Sequence, residues 1–363
     1  MNQSASVPDS DPASDRDPRT RPVVLLGPTA GGKSELAIGL AERLDPQGVV
    51  IGADSMQVYR GMDVGTAKPS LNDRARAPHR LIDIADTTER FTVHDGLAAA
   101  DAEIVQARAQ GRRPIVVGGT NLYLKALLEG LFEGPGVDEA YRAQLETQPP
   151  QDLHRRLVEL DPESAARIEP NDRRRIVRAL EVHHATGRPI SDWQRQWSDA
   201  RAGYRHDPIL LGLRWPVEAI NRRINLRVKA MCFPERVPPE MAAAVCWTGC
   251  SLFEEVEQLV GQGRLGPDAP QAREALGYKQ VLAWREATDP KLRSIDDVVE
   301  RTKVLTRRFA KQQRTWLRRF HGAIWIDEPD FGQEPGDAEP AGGAERRLQA
   351  ALGAISADSD LGG

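Results

Sequence analysis

The chain has 363 residues, 40% of them apolar and 28% charged, with a formal net charge of -4. That length predicts two domains or one core with an insertion, and no stretch approaches the roughly 18 consecutive apolar residues of a membrane span. The N-terminus lacks a charged-then-apolar leader and the three Cys are an odd number in a long chain, so secreted and disulfide-framework classes are excluded and a cytoplasmic protein without membrane contact is expected.

Residues 1–20, rich in Ser, Asp and Pro, are expected to be a disordered tail. Val23-Val24-Leu25-Leu26 then reads as a buried strand, and Glu35 to Leu44 has apolar residues at helical spacing. Between them lie Gly27, Pro28, Thr29, Ala30, Gly31, Gly32, Lys33 and Ser34, which fit G-x-x-x-x-G-K-[ST]. In a strand–loop–helix setting the backbone N–H groups of such a turn point at an anion. Lys33 supplies a cation to the outer phosphates, and the Ser34 hydroxyl can ligate Mg²⁺. The motif grips any polyphosphate or diphosphate, so it does not name the reaction.

Gly48 to Ala53 reads as a second strand running into Asp54-Ser55-Met56-Gln57-Val58-Tyr59. Open α/β sheets place ligands at the carboxyl ends of strands, so Asp54 is a candidate base or metal ligand, with a turn or helix cap as the alternative. Lys68, in Gly65-Thr66-Ala67-Lys68-Pro69, suits either a diphosphate contact or a solvated surface position. His79 to Asp83 reads as a turn and strand, His94 to Gln110 as a helix, Pro114 to Gly119 as a strand and Thr120 to Glu129 as a helix. Gly118 and Gly119 are expected to let the backbone approach a ligand, and the Thr120 hydroxyl to hydrogen-bond a substrate. No aspartate ends this strand where a usual ATPase has one, which favours group transfer over ATP hydrolysis. Strands alternating with helices predict a doubly wound, parallel α/β sheet of the P-loop type.

Residues 138–207 change to charged, helix-forming sequence broken by prolines, and Ile209 to Leu213 resumes the strand pattern. The expected organisation is a catalytic core over 21–137 and 208–327 interrupted by an all-α insertion. Val298 to Phe320 reads as a helix that interleaves Lys303, Arg307, Arg308, Lys311, Arg314 and Arg318 with Phe309, Trp316 and Phe320. Its apolar residues are expected on the core and its basic face toward phosphates; amphipathic membrane binding is disfavoured by the acidic tail beyond. Residues 328–363 are expected to be a disordered tail with at most one short helix around Ala344 to Leu352.

With these motifs in order, the chain resembles the tRNA dimethylallyltransferases, also called isopentenyl-tRNA transferases. The resemblance rests on the phosphate loop, Asp54 to Tyr59, Gly65 to Pro69, His79-x-Leu81-Ile82-Asp83, Gly118-Gly119-Thr120-x-Leu122-Tyr123, Arg175 to Val182, and Ala275 to Gln280, and so covers about Val23 to Arg319. It implies transfer of a dimethylallyl group from dimethylallyl diphosphate to N6 of the adenosine 3′ of the tRNA anticodon, releasing diphosphate, with Mg²⁺ on Ser34. It implies Asp54 as general base and Thr120 as its catalytic neighbour. Contacts to the anticodon stem-loop are implied for Asp54, Ser55, Met56, Gln57, Thr120, Arg142, Arg173, Arg174, Arg175, Ile176 and Val177, the helical insertion acting as a clamp. A monomer is expected.

The chain departs from the family pattern at Gly31, where Ser is usual, at Arg174, where Gln is frequent, and at Val217, where Arg is common. A phosphate contact absent at Val217 is expected to be missing or to come from Arg214 or Arg223. An extra stretch, Cys232 to Ser251, holds all three Cys; lacking His, it falls short of the four ligands of a structural zinc site. It is expected to be a surface loop or a segment that disturbs local packing. Three other readings compete: the same transfer to a free adenine nucleotide, a small-molecule kinase, and an RNA-binding nucleotide sensor. The Arg-bearing insertion disfavours the first, and the kinase leaves Asp54 to Pro69 unexplained.

Overall fold

The β-branched and leucine runs of the sequence have no polar alternation, which suits strands buried on both faces. In the computed structural model, which describes residues 17–131, 135–136, 138–195, 203–329 and 342–361, these runs form one six-stranded sheet in the order β3-β2-β4-β1-β5-β6. The strands are β1 (Val23–Leu26), β2 (Gly48–Gly52), β3 (His79–Arg80), β4 (Arg113–Val117), β5 (Ile209–Arg214) and β6 (Ile324–Asp327). Every pairing is parallel. β1 sits between β4 and β5, with Val23 opposite Ile115 on one side and Ile209 on the other. Its four side chains are all buried.

The connecting helices are α1 (Lys33–Arg43), α2 (Leu71–Arg76), α3 (Val93–Ala109) and α4 (Asn121–Glu129). After β5 come α10 (Val217–Cys232), α11 (Pro239–Val245), α12 (Leu252–Gly261), α13 (Tyr278–Arg285), α14 (Ile295–Leu317) and, past β6, α15 (Gly343–Leu361). The boundaries follow local chemistry. α2, α3, α12 and α14 each begin at a Ser or Thr whose hydroxyl accepts the N–H of an acidic residue three positions on, while that carboxylate returns to the cap's N–H. Such reciprocal caps satisfy N–H groups the helix leaves unpaired.

The chain divides into two compact units, Met1–Lys125 with His206–Gly363, and Ala126–Arg205. The second contains α5 (Glu139–Glu146), α6 (Pro150–Leu160), α7 (Pro162–Ala165), α8 (Arg173–Thr186) and α9 (Ile190–Arg195). It has its own core of Leu145, Leu153, Leu157, Ile176, Val177, Leu180 and Ile190. It begins at Ala126, not at 138, and ends at Arg205, not at 207; Arg205 N–H donates to Leu128 O at 2.8 Å, closing the unit where the chain enters and leaves it.

Three expectations need correction. Residues 328–363 are not simply a disordered tail with one short helix, because α15 runs to Leu361 and buries Leu348, Ala351 and Ile355. Each buried Leu or Ile contributes about 1.5–3 kcal/mol, enough to hold such a helix down. Residues 330–341 of that tail, and residues 1–16 of the other, lie outside the described residues. Asp17–Thr20, expected as part of the N-terminal tail, instead form a turn with Thr20 buried, and Arg113 donates to its carbonyls. The Cys232 to Ser251 stretch is not a loose surface loop. Cys232 and Cys246 are buried in the main core and Cys246 Sγ lies 3.2 Å from Ala230 O. Burial pushes both thiols up to about 12, so they are protonated packing residues at neutral pH.

Candidate functional site

The eight-residue loop leaves β1 and enters α1 as the sequence predicts, with Gly32 in the left-handed region at φ 85° as the cap. The first N–H groups of α1 have no partner within the helix, and its dipole favours an anion there. Not every amide of the loop is available: Thr29 N–H donates to Gln313 Oε1 at 2.8 Å, and Gly31 N–H to Pro28 O at 3.1 Å. The amides of Gly32, Lys33 and Ser34 at the helix start are placed where an anion would be favoured. Lys33 is buried, and its Nζ donates to the carbonyls of Gly27 and Pro28, each at 2.9 Å. Burial, then the nearby Arg227 cation, lowers its pKa to about 8, with Asp54 opposing.

Asp54 follows β2 directly, and Ala53 N–H continues the ladder to Val117 O at 2.8 Å. Asp54 Oδ1 accepts the N–H of Met56 at 2.9 Å and of Gln57 at 3.4 Å, the local turn that was the alternative reading. Oδ2 stands over Gly119, 3.2 Å from where a Cβ would be. The local turn engages one oxygen of Asp54, and the other faces Gly119. Asp54 also acts electrostatically on both Lys33 and Arg227. Thr120 Oγ1 accepts Ser55 N–H at 3.1 Å and lies 3.2 Å from Ser55 Oγ, so the ends of β2 and β4 are tied together.

The reason for Gly118 differs from the expected one. A Cβ there would lie 1.9 Å from Ala53 O, so the residue makes room for the neighbouring strand end. A ligand is not what its missing side chain admits.

Two arginines of α10 also reach the loop: Arg223, one of the substitutes expected for an Arg at 217, and Arg227, which the sequence left unassigned. Arg223 Nε donates to Ala30 O at 2.8 Å and its guanidinium lies 4.7 Å from the Trp215 ring. Arg227 donates to Thr29 Oγ1, and burial lowers its pKa to about 10, Arg223 adding to the effect. Val217 is 46% exposed at the start of α10. Of the two substitutes expected for an Arg there, Arg223 reaches the loop, whereas Arg214 pairs with Asp327 on β6 at 3.2 Å and lies over Trp325. Trp215 Nε1 donates to Gly31 O at 3.1 Å. Gln313, fully buried on α14, bridges the loop to Gly119 O, to which its Nε2 donates at 2.7 Å. The polar residues at Thr302, Thr306 and Gln313, recurring on the buried face of α14, were the available signal for such a role.

Two expected contacts turn inward. The Lys68 ammonium is neither at a diphosphate nor solvated: its side chain is 0% exposed, paired with Asp63 at 2.7 Å and Asp83 at 2.6 Å. Lys68 and Arg74 hold the Asp83 carboxyl below the usual range against its burial. Gln57 donates its carboxamide to Thr66 O and Ala67 O at 3.1 and 3.3 Å. The same turn is held from the other side. Glu255 accepts the N–H groups of Asp63 and Val64 at 3.0 and 2.8 Å and the Tyr278 hydroxyl, and Trp247 Nε1 donates to Lys68 O at 3.0 Å. Glu255, together with Tyr278 of the Ala275 to Gln280 motif, is thus a clamp on the turn behind Asp54.

Within the helical unit the remaining predicted residues separate. Arg142 forms a bidentate pair with buried Glu181, both bonds at 2.7 Å. Arg173 caps α5, donating to the carbonyls of Glu146 at 3.0 Å and Gln148 at 2.8 Å. Ile176 and Val177 are 0% and 4% exposed, so their side chains pack the unit and present nothing to a ligand. Arg174 and Arg175 are exposed, Arg175 also 3.3 Å from Asp172. On α14, Arg308, Lys311 and Arg318 are exposed as expected, but Phe309 is exposed with them.

No helix among the described residues is long and apolar enough to cross a membrane. Nor, among the described residues, does any group of three His, Cys, Asp or Glu stand where it could hold a metal ion.

A family model described as IPP transferase matches residues 57–320. A tRNA dimethylallyltransferase of Geobacter sulfurreducens is 44% identical over 315 residues, 86% of this chain and 93% of its own. One of Halorhodospira halophila is 44% identical over 306 residues, 82% and 90% of the two chains. Among solved structures, the full-length tRNA isopentenylpyrophosphate transferase of Bacillus halodurans superposes with a TM-score of 0.60 at 31% identity, covering 94% of this chain and 99% of its own. A eukaryotic dimethylallyltransferase acting on tRNA gives 0.66 at 27% identity, over 84% and 73%.

Proposed function

From the premise that the chain belongs to the IPP transferase family and is a prenyltransferase acting on tRNA, we propose how its site divides the reaction. The loop from Gly27 to Ser34 holds the diphosphate of dimethylallyl diphosphate, and Asp54 faces the N6 amine of the adenosine 3′ of the anticodon. The amine attacks the allylic carbon, the carbon–oxygen bond to diphosphate breaks, and the proton lost by nitrogen passes to Asp54. Lys33, Arg223 and Arg227 take up the charge that grows on the leaving diphosphate; pre-oriented cations of this kind stabilise a transition state without reorganising. The observation that carries the reading is that Gln313 ties the phosphate loop at Thr29 to Gly119, over which Asp54 Oδ2 stands.

Mg²⁺ fits this site as an ion held by the Ser34 hydroxyl, diphosphate oxygens and water. No carboxylate cage stands among the described residues, and Mg²⁺ characteristically takes few protein ligands when phosphates are present. Bound there it would neutralise the leaving group. The target base must leave its stack to meet Asp54. The exposed Arg174 and Arg175 of the helical unit suit phosphates of the anticodon stem. The loop and Asp54 lie on one unit of one chain, so the proposed site needs no second copy, in keeping with a monomer in the cytosol. The deciding experiment incubates the protein with dimethylallyl diphosphate, Mg²⁺ and unmodified tRNA. N6-dimethylallyladenosine at the position 3′ of the anticodon is expected, and free AMP competes poorly. Absence of that product overturns the reading.

A further inference from the structure

Among the described residues the largest fully buried side chain is that of Arg347, 1% exposed, on α15. α15 lies beyond the family match, which ends at 320. Its guanidinium lies behind the phosphate loop: a Cβ on Gly32 would stand 3.3 Å from three of its atoms. It lies 5.9 Å from the ring of Trp215, whose indole N–H holds Gly31 O. It reaches Glu35, in the first turn of α1, at 3.3 Å and the buried Glu328 at 3.4 Å. Ion pairs from Arg43 to Glu345 and Arg21 to Asp358, each 2.6 Å, fasten the two ends of the helix. Midway, Leu348 fills the space a side chain on Gly39 would take.

Two carboxylates close behind an anion site repel its ligand unless a cation offsets them. Arg347 is placed to do so for Glu35, and it shares Glu328 with Arg346, which donates to the same carboxylate.

We propose that Arg347 is a positioning residue of the diphosphate site. It neutralises Glu35 and, together with Arg346, Glu328 behind the loop and packs against the backbone at Gly32, so that docking of α15 and binding of diphosphate reinforce each other. The proposal rests on the phosphate loop being a diphosphate site.

The test is calorimetric titration of the full-length protein with inorganic pyrophosphate and Mg²⁺, alongside the KM for tRNA. Arg347→Met should weaken pyrophosphate binding about tenfold, the scale of one partly shielded charge interaction. Arg347→Lys should retain most of the affinity, Arg347→Met with Glu35→Gln should recover it, and the KM for tRNA should not move. A purely structural staple would lower the melting temperature without this pattern. Wild-type affinity in Arg347→Met overturns the proposal. If that variant does not fold, Glu35→Gln alone decides, since loss of the surface carboxylate must tighten binding about threefold. Lys33→Ala separates the two levels. If it abolishes pyrophosphate binding while Arg347→Met changes nothing, only the role of Arg347 fails; if neither matters, the diphosphate reading fails too.

Discussion

Asp54 and Lys33 carry opposite duties, and each can be read separately. Oδ1 of Asp54 is engaged by its own turn, and in the proposed reaction Oδ2 takes the proton. Asp54→Ala should lower kcat by a factor on the order of 10² to 10⁴, the range of a lost general base. Its tRNA affinity should stay near wild type in a filter-binding assay, because the helical unit is untouched. Lys33 has its folded pKa lowered to about 8, chiefly by burial. The free enzyme therefore loses this cation as pH rises through about 8, and loses with it the charge that attracts a diphosphate. The kcat/KM for dimethylallyl diphosphate should fall above that pH with a slope approaching about one decade per unit, and a profile flat to the onset of denaturation would remove Lys33 from the grip. The stability effect has the opposite sign: the unfolded chain binds more protons between about 8 and the ordinary lysine value near 10.4, so this group adds stability as pH rises through that window.

Elements differ in how much of their role is written locally. The strand, loop and helix from Val23 to Leu44 were legible because apolar run, glycine turn and helical spacing all lie within one short stretch. Asp54 and Thr120 were legible for the same reason, each ending a strand. The role of α14 was not: its amphipathic pattern predicts packing, but the bridge by Gln313 depends on partners at Thr29 and Gly119, distant in sequence. α15 was half legible as a short helix, and its anchoring by Arg21 and Arg43 was invisible for the same reason. Lys68 shows the limit in a single residue, since nothing in Gly-Thr-Ala-Lys-Pro tells that two aspartates close over it. Gln313→Met keeps the bulk and removes both hydrogen bonds. It should deprive the part-buried Thr29 N–H and Gly119 O of this partner, costing about 1 kcal/mol for each hydrogen bond on denaturant unfolding, and it should lower kcat/KM for both substrates because it connects both loops. A variant with unchanged stability would mean that water replaces the amide.

The whole molecule is built from a discontinuous sheet unit and a continuous helical one. Arg205 N–H meets Leu128 O where the chain enters and leaves the helical unit, so a short glycine-rich linker can replace residues 131–203. The remaining protein should fold and bind pyrophosphate like the parent, yet lose measurable tRNA binding at physiological salt, since Arg174 and Arg175 are gone. Retained tRNA affinity would place the RNA site elsewhere. The position of β1 has one more consequence, for the order in which the protein comes into being. Its neighbours are β4 and β5, and the entire helical unit is encoded between them. On the ribosome, Val23 to Leu26 must therefore wait with one edge unpaired until Ile209 has been made, while residues 126–205, whose core contacts are local, can condense at once. The catalytic loop belongs to the earliest residues synthesised and is among the last to acquire its shape, which makes a slowed or truncated translation product an exposed strand with no active site to show for it.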